Sequence, residues 1–144
     1  MTNQELLLSI LRDEIAGDIQ SALGKMSKDY SMTWMYKKGE VLFPSSSPDF
    51  SADMKDVYPI KGRKYKIKNI AEGEDVVMIE VIESYPDPKT GRVYRTPLVI
   101  VVEIRDGKIF RGRHYCDPDI SWLHLEEKEI EDAYKGSKTR RVIE

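Results

Sequence analysis

Cysteine is almost absent from this sequence. Cys116 is the only one in 144 residues, so no disulfide can close within the chain. A lone thiol suits a reducing compartment, and the cytoplasm is the expected location. Long apolar runs are missing as well. Nothing approaches the roughly 20 residues a membrane-crossing helix needs, and the N-terminus lacks a secretory-signal pattern. Nor is there an excess of either charge, since the formal net charge is -2. Nucleic-acid binding needs a basic face, so neither nucleic acid nor membrane is expected as a partner. Histidine is scarce: His114 and His124 are the only two, and no metal-ligand spacing surrounds them. No glycine-rich phosphate loop follows a strand pattern. The expectation is therefore no metal and no cofactor.

What is present suits a single globular domain with a real core, because 40% of the residues are hydrophobic and 33% charged. Leu6, Leu7, Ile10, Leu11 and Ile15 recur at helical spacing, predicting a helix from Thr2 that breaks at Gly17-Asp18. Asp18 can cap a second, shorter helix carrying Ile19, Ala22, Leu23 and Met26. Tyr30 to Tyr36 alternates as a strand with Tyr30, Met32, Trp34 and Tyr36 on one face. Pro44 to Pro48 is a loop by composition, and Asp49 to Val57 a short helix. Lys64, Lys66 and Lys68 alternate with Tyr65 and Ile67, predicting a strand with one solvated face. Val76 to Ser84 is apolar on both faces and should be a central strand. Arg92 to Ile104 returns antiparallel, and Asp106-Gly107 turns it into a further strand from Ile109 to Asp117. Glu126 to Tyr134 is helical, with Glu126, Glu127 and Glu129 on a solvated face. Helices followed by long strands predict an α+β fold: a cone-shaped, curved antiparallel β-sheet packed against N-terminal helices. One domain should occupy residues 1–135, and residues 136–144 should form a loose tail.

Several segments resemble the NTF2-like superfamily, and its SnoaL-like branch most of all. They are Ala16-Gly17-Asp18, the run Lys28-Asp29-Tyr30-Ser31-Met32-Thr33-Trp34, Arg105-Asp106-Gly107-Lys108-Ile109, and Arg113-His114-Tyr115-Cys116-Asp117. The resemblance spans about residues 2–120. It implies a cystatin-like α+β barrel, often paired into a homodimer through its sheet. The superfamily holds ketosteroid isomerases, limonene-epoxide hydrolases, polyketide cyclases, dehydratases and non-catalytic binding modules, so fold alone does not choose an activity. The isomerase's base, tyrosine and acid fall on Trp34, Ile10 and Val99, all apolar, which excludes that chemistry. The epoxide hydrolase's acid, arginine and second acid fall on Glu83, Val81 and His114. Its two helper positions fall on Met32 and Trp34.

The surviving polar pair is Glu83 and His114. A carboxylate beside an imidazole fixes its tautomer and raises its pKa, giving an acid/base near neutral pH. His114 is the candidate acid/base and Glu83 its orienter. Ile10, Met32, Trp34, Tyr36, Val81, Val99 and Val101 are the candidate lining for a small, largely apolar ligand. Two readings follow. One is a cofactor-independent isomerase, cyclase or hydratase; the other is a ligand-binding or dimerisation module without turnover. Cys116 is expected to be a buried, inert thiol. An apolar strip of Val93, Leu98 and Ile100 offers the face for a second copy.

Overall fold

The computed structural model describes residues 1–36, 40–42 and 61–144. The loop expected at Pro44–Pro48 and the helix expected at Asp49–Val57 lie outside the described residues. Among the described residues no helix is long and apolar enough to cross a membrane.

Two helices open the chain, α1 (Asn3–Ala16) and α2 (Ile19–Gly24). Thr2 caps α1 by accepting from the Glu5 N–H at 3.1 Å. Gly17 ends it at φ 73°, a left-handed position that costs an L side chain energy. Asp18 then caps α2 through the Ser21 N–H. The bent helical pair expected from Gly17-Asp18 is therefore present.

Among the described residues seven strands follow: β1 (Met26–Trp34), β2 (Glu40–Leu42), β3 (Lys64–Glu72), β4 (Val76–Pro86), β5 (Val93–Arg105), β6 (Lys108–Tyr115) and β7 (Arg141–Ile143). Two short helices, α3 (Pro118–Ser121) and α4 (Glu127–Ala133), lie between β6 and β7. The sheet runs β2-β1-β6-β5-β4-β3-β7 and is open, with β2 and β7 at its edges, so it does not close into a barrel. It is also mixed, because β1 runs parallel to β6 while the other neighbours are antiparallel. The sequence signalled antiparallel order because the Asp106-Gly107 hairpin fixes β5 against β6. No tight turn joins β1 to β6, so nothing local sets their direction. Breaks in register between Ile67 and Asn69, and between Glu103 and Ile104, bend the sheet.

Alternation sorts the side chains onto two faces. Val77, Ile79 and Val81 of β4 pair with Val102, Ile100 and Leu98 of β5, and all six are buried beneath α1. Leu7, Leu8, Ile10 and Leu11 of α1 complete that core with Tyr65 and Ile67 of β3. The inner face continues along the strands in rows. Ile79, Ile100, His114 and Trp34 form one; Tyr65, Glu83 and Thr96 another; Tyr85 and Tyr94 the next.

The outer face differs from expectation at β3. Lys64, Lys66 and Lys68 do not form a solvated row, although Lys64 stays partly exposed. α4 covers them, and Lys68 is 1% exposed. The residues expected as a loose tail are tied down too. Tyr65, Lys66 and Ile67 pair with Ile143, Val142 and Arg141, and the Ile143 side chain is buried. Alternating lysines on a strand look solvated until a distant acidic helix is known to lie on them.

Gly17→Ala tests the helix end that carries Glu14. It should lower stability by about 1 kcal/mol, measured by urea unfolding, because alanine at positive φ is strained.

Candidate functional site

The polar groups of the inner face gather where the end of α1 meets the start of β3. Glu14 continues the Leu7 and Leu11 stripe of α1 by one more turn, so its carboxylate points into the protein. Arg63 precedes β3 with the same parity as Tyr65 and Ile67, and is 5% exposed. Glu83 shares the inward parity of Val77, Ile79 and Val81 on β4. One guanidinium nitrogen of Arg63 donates to Glu83 Oε2 at 3.0 Å and to Glu14 Oε1 at 3.3 Å. It also lies 3.4 Å from the Tyr65 hydroxyl. That hydroxyl donates to the other Glu14 oxygen at 2.5 Å. The Arg63 guanidinium stacks 5.0 Å from the centre of the Tyr85 ring.

Burial pushes the Glu14 carboxyl up to about 7; Arg63 opposes this, Glu83 adds to it, and the Tyr65 hydroxyl opposes it. Two carboxylates that share one cation in a poorly hydrated place do not both hold full charge readily. The Tyr30 hydroxyl is pushed well above its ordinary range, first by burial and then by Glu14.

The structure brings Glu83 and His114 to the same face but does not couple them as expected. The bonded partner of the Glu83 carboxylate is Arg63, and among the described residues no hydrogen bond joins Glu83 to the His114 ring. Burial lowers the His114 pKa, with Glu83 opposing and Arg63 adding to the shift. The sequence reading had the pKa of this histidine raised by its carboxylate. It omitted the desolvation of a ring set beside Ile100 and Trp34. Burial likewise raises the Cys116 thiol, which keeps it protonated.

Of the expected lining, Ile10 and Val81 are buried core, and Met32 packs against that core. Trp34 pairs with His114 and stacks on Tyr36, ring centres 5.2 Å apart. Val99 and Val101 belong to the opposite face, where they pair with Tyr115 and Arg113. Leu98 to Val102 is apolar on both faces, so no alternation marked which side faces in. For the same reason Leu98 and Ile100, expected on an exposed strip, are buried, while Met78 and Val99 are exposed.

Sequence reasoning missed Glu14, Arg63 and Tyr65. A signal existed for each: a carboxylate in register with an apolar helical stripe, and an arginine and a tyrosine on the inward parity of a strand. Among the described residues no group of three or more His, Cys, Asp or Glu is placed to hold a metal ion.

No protein-family model and no curated protein matches the sequence. Solved structures do match it. An LEH-like epoxide hydrolase from M. tuberculosis aligns with a TM-score of 0.65 at 14% identity, over 92% of this chain and 95% of that one. A protein with a ketosteroid isomerase-like fold from Catenulispora acidiphila, solved with trimethylamine, aligns at 0.69 and 12% identity, over 85% and 93%. AclR, a putative hydroxylase from Streptomyces galilaeus, aligns at 0.63 and 17% identity, over 79% and 87%. An NTF2-like protein from Cytophaga hutchinsonii aligns at 0.63 and 15% identity, over 83% and 93%. These likenesses establish the fold: the chain has an NTF2-like α+β fold.

Proposed function

We propose that this protein is a cofactor-independent enzyme of the isomerase, cyclase or hydratase type, acting on a small, largely apolar molecule. The carrying observation is the pair of carboxylates, Glu14 and Glu83, on one buried nitrogen of Arg63. A carboxyl near pKa 7 both gives and takes a proton at neutral pH, which suits Glu14 as the acid/base. Arg63, held by Glu83, is a preorganised donor for an oxygen that gains charge. His114, neutral and beside Trp34, serves as a polar contact for the substrate, not as the base. An epoxide hydrolase and a putative hydroxylase on the same fold are compatible with this by analogy of architecture alone.

A second reading, a binding or dimerisation module without turnover, draws on a specific observation: Arg63, Glu14, Glu83 and Tyr65 are bonded to one another, as in a structural ion-pair network. Exposed Met78, Val99 and Tyr115 on the outer face support a second copy docked there.

Small cyclic ketones, epoxides and terpenoids should be screened by thermal shift, and the ligands found then followed by mass spectrometry for a product. Glu14→Gln should keep ligand binding and lower turnover by about 10²- to 10⁴-fold. Binding without any product in the wild type would favour the module.

The Glu14 proton also sets a pH dependence. Its folded pKa, about 7, lies above the ordinary 4.5, so the folded state binds the proton more tightly. That contribution is complete below about pH 4.5 and is lost as pH rises through 7. Urea unfolding between pH 5 and pH 8 should show stability falling by up to about 3 kcal/mol, with the slope flattened in Glu14→Gln.

A further inference from the structure

On the outer face, away from the Glu14 and Arg63 cluster, a shallow, open cleft lies between β3, β4, β5 and α4. Lys64, Lys66 and Arg95 line it, together with Ser84 and Glu127, over an apolar floor of Ile82 and Ile130. Glu127 accepts from Lys66 at 3.0 Å and lies 3.9 Å from Lys64. Arg95 is close enough to help hold the Glu127 carboxyl below its ordinary range, after the larger effects of Lys66 and Lys64. Arg95 is itself fixed by a 2.8 Å bond to the Leu125 carbonyl.

The helix that delivers Glu127 is anchored independently of it. Glu131 pairs with Lys66 and, at 2.5 Å, with buried Lys68. Lys68 also donates to the Ser137 carbonyl at 3.1 Å and lies over the Tyr134 ring. Ile130 is buried. Glu127, by contrast, is half exposed, and among the described residues its side chain is paired with the lysines. Along the cleft lining the cations Lys64, Lys66 and Arg95 outnumber the carboxylate Glu127, on a chain whose net charge is -2.

We propose that this cleft is a binding site for a tetrahedral oxyanion, inorganic phosphate or a phosphate monoester, and that Glu127 occupies it as an internal stand-in. An incoming dianion displaces the Glu127 side chain into solvent and takes its place among Lys64, Lys66 and Arg95. Ser84 and the isoleucine floor then meet the rest of the molecule. α4 stays docked through Glu131 and Ile130.

The test is calorimetric titration of the full chain with inorganic phosphate and, separately, phenyl phosphate, with sodium chloride holding ionic strength constant. Wild type should bind weakly. Glu127→Gln should bind on the order of tenfold more tightly, because the competing carboxylate is gone. Adding Lys64→Ala to Glu127→Gln should abolish that gain. Lys64 is chosen because it is the more exposed lysine and does not hold α4. Tighter binding of phenyl phosphate than of phosphate would identify a monoester as the ligand; equal binding would identify the free anion. Two results would overturn the proposal: Glu127→Gln binding no better than wild type, or binding that survives the loss of Lys64.

Discussion

A guanidinium buried between two carboxylates sets the conditions for the inner half of this molecule. Arg63 is 5% exposed, and burying an unpaired cation there would cost several kcal/mol. Glu83 and Glu14 offset that cost, and in doing so they tie β4 and the end of α1 to the start of β3. Three elements distant in sequence are thereby held in one geometry. Apolar residues of the same size would fill this space at least as stably, because desolvation consumes much of what a buried ion pair gains. The cluster is thus not accounted for by stability alone. Its distinctive product is a carboxyl whose pKa burial raises well above the ordinary carboxylate range.

β3 carries a second charged system on its other side. Arg63, Tyr65 and Ile67 face inward; Lys64 and Lys66 face α4. One layer of backbone separates the two networks, and strand alternation assigns each residue to its side. The bulge at Lys68 extends the outer system. It is the unpaired residue between Ile67 and Asn69, and its ammonium reaches Glu131 and the Ser137 carbonyl. The C-terminal segment then closes over this face, with α4 held by charge and Ile130, and β7 by backbone pairing. The two systems meet through the backbone of β3, where Tyr65 of the inner network pairs with Ile143 of β7.

Local signals in the sequence carried most of the fold. The stripe of α1, the cap at Asp18, the Asp106-Gly107 turn and the apolar β4 all describe short-range chemistry, and all are present. The parallel partnership of β1 with β6 and the docking of residues 136–144 were not legible, because both depend on contacts made across most of the chain. Part of the site failed for a different reason. Val99 and Leu98 are both apolar, so hydrophobicity gave no phase for β5, and counting from a turn placed the wrong one inward. Glu14 was legible and was passed over, since a charge at the end of an amphipathic helix is ordinarily read as its solvated edge.

The position of His114 shows how the surroundings of a side chain, and not its type alone, set its affinity for a proton. An imidazole works as an acid/base near neutral pH when a charged partner offsets its desolvation. Here the nearby carboxylate is already bonded to Arg63, whose own charge disfavours a second cation. Arg63 therefore acts on both groups, lowering the pKa of the imidazole and bonding the Glu83 carboxylate. The same arginine opposes the rise at Glu14 without cancelling it, because burial outweighs it there. Proton handling follows from this contest between burial and one fixed positive charge. Burial lowers the pKa of the histidine and raises that of the helix-borne carboxyl, and the arginine adds to the first shift and opposes the second.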